Sequence, residues 1–410
     1  MTTKRLKLAF GFLAFILTFA FLISGVRAII SGNQNVYDLI DYNIYNDTED
    51  FYAVPAAVSL PTVDAQGAIL IDTDSGDIIH EVNCRKRLPM ASTTKIMTAI
   101  TAIESGFPLD KIITVTKQMT GAEGSSIYLY AGERFTLYDL IYALLLNSAN
   151  DSAEAIAVGV AGSIENFAVM MNEKVKELGL SNTNFTNPHG LDNDMHYTTA
   201  YDLAKISAYA LENEVFYEIA SDQNHIIYPK NPDGTDKKEG ARYLRNHNKM
   251  LRLYKDSIGV KTGFTKRSGR CLVSAAERDG TRLVAVTLNA SDDWNDHREM
   301  LDYGFDNYRN LELCKENEFK FEINVVNGAN TSIIKCENIQ SKSASLPKSV
   351  SREDIKQKTE LPQFVYAPVK KGDIIGRVVF THEDKIIGYS VIVSCEDAEV
   401  NKPKKFGIFK

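Results

Sequence analysis

Three apolar runs rich in β-branched residues follow one another at 257–260, 271–277 and 282–289, separated by a segment that opens and closes on glycine (263–269) and by Asp279-Gly280. Short runs with turn residues between them predict adjacent antiparallel strands. Upstream the pattern differs: apolar residues recur at helical spacing over 90–105, 137–146, 151–160, 164–178 and 199–211. Two further short apolar runs, 67–71 and 77–82, bracket Asp72-Thr73-Asp74-Ser75-Gly76, a turn-rich segment that suits a hairpin. Helices first and strands last, around a separate hairpin, predict an α+β domain over 63–310 in which helices flank an antiparallel sheet.

After Tyr308 the period becomes two. Phe319, Phe321, Ile323 and Val325 alternate with polar residues, Asn327-Gly328 marks a turn, and strand-like runs recur at 363–369, 374–380 and 386–393. A polar stretch at 340–360 separates the two groups. Residues 312–400 therefore predict a small all-β domain. It gathers no set of acids, histidines or nucleophiles, so its expected work is binding, spacing or orientation.

The opposite end of the chain fixes the compartment. Lys4, Arg5 and Lys7 precede 19 uncharged apolar residues, 8–26. A basic flank before an apolar run is an export pattern, either a signal peptide cleaved after Ala28 or an uncleaved anchor long enough to span a bilayer. Either places the remainder outside the cytoplasm. Residues 1–30 are read as this segment, 31–62 as a polar tether and 401–410 as a short basic tail. The net charge of −7 argues against a nucleic-acid partner. Five cysteines, Cys84, Cys271, Cys314, Cys336 and Cys395, without a C-x-x-C pair give no disulfide framework or zinc site. Most are expected as small buried hydrophobes, with a Cys314–Cys336 bridge left open.

Three motifs carry chemistry. Ser92-Thr93-Thr94-Lys95 sets a hydroxyl and an amine three residues apart at a helix start, on one face, where the helix N-terminus favours charge building on an attacked carbonyl oxygen. Lys95 must be neutral to take the serine proton, and burial beside a second cation, for which Lys261 is the candidate, would hold it so. Ser148-Ala149-Asn150 lies between two helix patterns. Ser148 can relay a proton to a leaving group, and Asn150 can orient Lys95 and bind a peptide carbonyl. Lys261-Thr262-Gly263 follows a strand. Its glycine leaves room for an extended ligand, Lys261 and Thr262 can bind a carboxylate, and the N–H groups of Phe264 and Ser92 can form an oxyanion hole. Taken singly, each motif is weak: Ser345-Leu346-Pro347-Lys348 repeats the first, and Ser31-Gly32-Asn33 the second.

In this order the motifs resemble those of the penicillin-recognising serine acyltransferases, and more closely the D-alanyl-D-alanine carboxypeptidases, the low-molecular-mass penicillin-binding proteins. Leu88-Pro89-Met90-Ala91 before Ser92, Asn147 and Asp151 around the second motif, Asn187-Pro188-His189-Gly190-Leu191, and Gly259-Val260 before Lys261 support the resemblance. It implies the penicillin-binding/β-lactamase-like transpeptidase fold followed by the family's small β domain. It also implies acyl transfer through Ser92 with loss of the terminal D-alanine of a peptidoglycan stem peptide, β-lactams as inhibitors, the membrane as a partner if the N-terminal helix is retained, and no metal or cofactor. Two features depart from the family. The tail holds Pro403 and too few apolar residues for an amphipathic anchor. Where some relatives bind the substrate carboxylate with an arginine, this chain has Asp293, leaving Arg270 or Arg298 as substitutes. His189 and, less strongly, His247 are candidates to line the site. An endopeptidase on cross-linked peptides and a non-catalytic penicillin sensor remain as alternatives. A class A-like β-lactamase is disfavoured because Glu165-Asn166 lacks an E-x-x-L-N context, and the chain has neither H-E-x-x-H nor G-x-S-x-G.

Overall fold

In the computed structural model the described residues are 58–401 together with 51, 53, 55 and 56. The expected export segment, most of the tether and the tail beyond Asn401 lie outside them. The chain forms two compact units, Asp50–Leu311 with Ser343–Asp354, and Glu312–Lys342 with the residues from Ile355 on.

The first unit begins with the hairpin β1 (Ala65–Asp72) and β2 (Ile78–Val82), followed by helix α1 (Lys95–Glu104) and the short pair β3 (Ile112–Thr114) and β4 (Arg134–Thr136). Helices α2 (Leu137–Leu146), α3 (Asn150–Ala161), α4 (Ile164–Glu177), α5 (Ala200–Glu212) and α6 (Glu214–Ser221) come next. A ribbon of β5 (Asn224–Ile227) and β6 (Arg242–Arg245) and the single turn α7 (Met250–Leu253) lead into β7 (Ser257–Thr265), β8 (Gly269–Arg278), β9 (Thr281–Ala290) and α8 (Asp293–Asn307).

The main sheet has the order β2-β1-β9-β8-β7, with antiparallel neighbours throughout and β7 at one edge. Both faces are covered. Ile69, Val273, Val284 and Val286 point into the core shared with α1 to α6, while Leu70, Leu272, Leu283 and Ala285 pack beneath Met300 and Leu301 of α8. Because alternate side chains are buried on opposite faces, the strands read as continuous apolar runs. Each buried large side chain contributes about 1.5–3 kcal/mol.

One boundary and one helix differ from the sequence reading. Strand β7 runs on through Gly263 to Thr265, so the connection shrinks to the residues before Gly269. Thr265 and Ser268 close it by exchanging bonds, each backbone N–H donating to the other's hydroxyl at 2.9 Å. Helix α8 gave no clear helical period because Asp293, Asp296 and His297 interrupt the apolar residues on its buried side.

The second unit holds a six-stranded sheet built from β11 (Lys320–Val326), β12 (Ile333–Asn338), β14 (Lys356–Glu360), β15 (Phe364–Tyr366), β16 (Ile374–His382) and β17 (Lys385–Ser394). Its order is β14-β16-β17-β12-β11-β15, antiparallel except for the parallel pair β11 and β15. A separate two-stranded ribbon joins β10 (Tyr308–Cys314) to β13 (Lys342–Pro347). The polar stretch at 340–360 therefore contains two strands. Its charged residues escaped the strand pattern because β14 is an edge strand with Lys356, Gln357, Lys358 and Thr359 exposed. None of the five cysteines is joined in a disulfide, Cys314 and Cys336 included, so the bridge left open does not form.

Candidate active site

Ala91 adopts φ +48, which turns the chain out of Met90 into a 3-10 turn, Ala91–Thr94, directly before α1. Two threonine hydroxyls hold this turn: Thr93 donates to the Met90 carbonyl at 2.6 Å and Thr94 to that of Ala91 at 2.8 Å. Ser92 is thereby presented at the start of a helix whose first residue is Lys95. The Lys95 ammonium is fully buried and donates to Ser92 Oγ at 2.9 Å, Asn150 Oδ1 at 2.6 Å and the His189 carbonyl at 2.6 Å. Three acceptors fill its three donor positions. Burial, then the nearby charge of Lys261, hold Lys95 well below the usual lysine range, while Asp151 acts in the opposite sense.

Asn150 opens α3. Its side-chain amide donates to the Glu123 carbonyl, which leaves Oδ1 for Lys95, and its backbone N–H donates to the Ser125 carbonyl at 2.7 Å. Ser148 has φ +57 on the preceding turn, and its side chain lines the cleft.

Strand β7 supplies the opposite wall. The cleft, about 560 Å³, is lined by Ser92, Ser125, Ser148, Thr262, Gly263 and Phe264, among others. A Cβ on Gly263 would stand 2.9 Å from the Ser92 nitrogen and 3.0 Å from that of Thr93, so only glycine lets the strand approach the nucleophile this closely. Thr262 and Gly263 face the cleft, whereas Lys261 lies behind them. It is almost wholly buried, donates to the Thr262 carbonyl at 3.0 Å, and is lowered to about 7 by burial. Its position makes it the second cation acting on Lys95, while the cleft-facing cations are Arg270 and Lys249.

Arg270 stands opposite Phe264 in the β7–β8 register, donates to Asp293 Oδ1 from Nε at 3.1 Å and again from Nη2, and lies 5.8 Å from the centre of the Trp294 ring. Lys249 approaches the same ring at 5.8 Å. Arg298 is exposed on α8 and does not line the cleft, so of the two arginines considered from the sequence only Arg270 is at the site.

The histidines exchange roles. His189 contributes its carbonyl to Lys95 and keeps its ring out of the cleft lining, with Nε2 3.8 Å from Glu154; burial, then Lys95 and His196, lower it to about 3, so the ring is neutral. His247 does line the cleft. His196, not singled out by any motif, is buried behind the nucleophile. It accepts the Thr186 N–H at Nδ1, 3.0 Å, so Nε2 carries the proton and donates to Thr94 Oγ1 at 2.8 Å. That chain ends on the Ala91 carbonyl and braces its unusual backbone. Gly190 packs so tightly there that a Cβ would lie 1.9 Å from the Ala91 oxygen. Ser125, Lys249 and Trp294 were also missed, having no motif context. The second S-x-x-K is a strand feature: Ser345 is buried in β13 and its N–H donates to Asp77 Oδ2 at 2.6 Å.

The family profile described as D-alanyl-D-alanine carboxypeptidase matches residues 54–292, and that described as penicillin-binding protein 5, C-terminal domain, matches 312–400. The D-alanyl-D-alanine carboxypeptidase DacF of Bacillus subtilis is 30% identical over 344 residues, which is 82% of this chain and 86% of that protein. The carboxypeptidase DacC of Escherichia coli is 30% identical over 365 residues, covering 85% and 88% of the two chains. Among solved structures, penicillin-binding protein 5 of Haemophilus influenzae is similar with a TM-score of 0.73 and 26% identity, over 84% of this chain and all of that one. With its fold, motif order and both profiles in agreement, this chain belongs to the D-alanyl-D-alanine carboxypeptidase family of low-molecular-mass penicillin-binding proteins.

Proposed function

We propose that this chain is a serine-type D-alanyl-D-alanine carboxypeptidase that removes the terminal D-alanine of peptidoglycan stem pentapeptides, and that β-lactams acylate the same serine. The observation that carries the reading is the 2.9 Å bond between a buried, depressed Lys95 ammonium and Ser92 Oγ. Burial and Lys261 lower the affinity of Lys95 for its proton, and once that proton is given up the amine at this distance can take the hydroxyl proton as the oxygen attacks.

Ser92 Oγ adds to the carbonyl carbon of the penultimate D-alanine, and the Ser92 and Phe264 N–H groups receive the developing oxyanion. The C–N bond then breaks, Ser148 passes a proton to the departing amine, and D-alanine leaves. Water adds to the ester, Ser92 regains its proton, and the shortened peptide is released. Thr262 and Arg270 bind the terminal carboxylate, Arg270 being the cleft cation nearest β7 in register. A free carboxylate in that position favours carboxypeptidase over endopeptidase action.

The domain reading is carried with it: 63–310 as the catalytic domain, 312–400 as a unit that spaces or orients it, and the basic, apolar N-terminal segment as the device that exports the chain to the cell-wall side of the membrane and, if uncleaved, holds it there. Release of D-alanine from an acylated Lys-D-Ala-D-Ala peptide tests the activity, with the C-terminal amide as control. Release from the free acid only, abolished by Ser92→Ala, is expected. No release by wild type despite stable penicillin labelling would turn the reading to a sensor.

A further inference from the structure

Asp151 follows Asn150 in the first turn of α3 and is 2% exposed. Its carboxylate accepts four bonds: Ser126 Oγ at 2.6 Å and Leu129 N at 2.9 Å on Oδ2, Ile127 N at 3.2 Å and Ser152 N at 3.0 Å on Oδ1. Only the last is local; three come from a loop more than twenty residues earlier in sequence. A carboxylate serving only its own helix would face the helix's N–H groups instead.

That loop is a wall of the cleft. Ser125 lines it, the Ser125 carbonyl receives the Asn150 N–H, and the Glu123 carbonyl receives the Asn150 side-chain amide. This last bond decides which end of the Asn150 amide meets Lys95, because the nitrogen is committed to Glu123 and only oxygen is left for the ammonium. The loop does not hold this course by local preference. Tyr128, 83% exposed, has φ +59, a backbone region disfavoured for an aromatic residue. Asp151 grips the residues on either side of Tyr128, Ile127 and Leu129.

We infer that Asp151 is a positioning residue for the acylation step: it clamps the 123–129 wall, the wall orients Asn150, and Asn150 orients Lys95. Among the described residues, Asp151 is the negative charge that acts on Lys95 against burial and Lys261, with Glu154 one turn further along α3 and 3.8 Å from the His189 ring. The charged and titratable groups facing that ammonium are Lys261 from β7, Asp151 from α3 and the neutral ring of His189, with neutral His196 behind Thr94. Removing the carboxylate charge leaves Lys261 unopposed, so Lys95 loses its proton at lower pH.

The inference rests on Lys95 acting as base, and the test separates the two. Wild type must first form a covalent penicillin adduct on Ser92; if it does not, the functional reading fails and Asp151 is not at issue. Given the adduct, the pH dependence of acylation is measured for wild type, Asp151→Asn and Ser126→Ala. Asp151→Asn is expected to acylate about 10- to 100-fold more slowly at its plateau, with two of the four bonds lost at the amide nitrogen and the other two no longer charge-assisted, and to show its acid limb displaced to lower pH. Ser126→Ala, which loses one clamp bond to Asp151 and the acceptor of the Tyr128 N–H but no charge, is expected to slow about 3- to 10-fold with the limb in its wild-type place. An Asp151→Asn protein that slows without moving the limb shows a merely structural role and overturns the inference. Should Asp151→Asn not fold, Ser126→Ala decides alone: a wild-type rate at an unchanged melting temperature contradicts the clamp, and a slower rate at that temperature supports it.

Discussion

Lys261 is the like charge that faces Lys95: both ammonium groups are buried, one in β7 and one at the head of α1, and after burial itself Lys261 is the largest influence keeping Lys95 below the ordinary lysine range. Two lysines without a carboxylate between them are a costly arrangement inside a protein. It makes chemical sense only if one of them must be neutral near physiological pH.

Replacing Lys261 with Met is expected to move the acid limb of penicillin acylation to higher pH, since Lys95 without its neighbour holds its proton longer. This is the opposite direction to the shift expected for Asp151→Asn. The same variant is expected to be more stable than wild type at pH 7, by about 1–4 kcal/mol as for other buried charges replaced by apolar residues. The sign follows from linkage. Lys261 falls to about 7 in the fold against 10.5 unfolded, so between those values the unfolded chain binds the extra proton and wild-type stability rises with pH. The advantage of Lys261→Met therefore shrinks toward pH 10, as thermal denaturation across that range will show.

Gly263→Ala places a methyl group against the backbone nitrogens of Ser92 and Thr93, which have no flexible side chain to yield. Acylation is expected to fall by about 10²- to 10³-fold, the cost of a lost oxyanion donor, and the melting temperature is expected to fall as well, because the strand or the Ala91–Thr94 turn must shift to admit the methyl group. Stopped-flow acylation and a thermal melt separate the two effects.

Arg270→Ala is expected to raise KM for a free-acid peptide by about 10- to 100-fold, as for a lost charged hydrogen bond, with a smaller effect on kcat. Arg298→Ala, exposed on α8, is expected to leave both unchanged. Equal effects of the two substitutions would place the carboxylate elsewhere.

His297 is wholly buried in α8, with Nε2 3.0 Å from Thr287 Oγ1, and burial lowers it from 6.5 to about 3. A ring held neutral in the fold takes up a proton on unfolding below pH 6.5, so stability is lost as pH falls from there toward 3, by about 1.4 kcal/mol per pH unit. Asp296, raised to about 6, opposes this in the same window. The His297→Gln protein is expected to show a shallower fall by one proton's worth, measured by urea denaturation between pH 4 and 7.

Much of this was legible in the chain because it depends on local chemistry. The spacing of Ser92 and Lys95 needs only a helical turn, and the runs behind β8 and β9 needed only apolar content. What could not be read depends on distant contacts. Asp151 stands beside the second motif in the chain, but its grip on the 123–129 loop depends on contacts more than twenty residues away in sequence. His196 sits 102 residues from Thr94 in sequence, and no motif joins them. Arg270 and Asp293 are brought together by the packing of α8 on the sheet, so a count along the chain found an acid where a cation was sought and could not tell Arg270 from Arg298. Strand β14 was hidden by its own exposure.

The central claim is that Lys95 and Ser92 act as base and nucleophile, and intact-mass spectrometry after penicillin exposure tests it most directly. Wild type is expected to gain one penicilloyl mass, mapped to the peptide containing Ser92. Ser92→Ala is expected to gain none, and Lys95→Ala to fold and remain unmodified on the wild-type timescale. An adduct on Ser92→Ala, or acylation of Lys95→Ala at the wild-type rate, would contradict it.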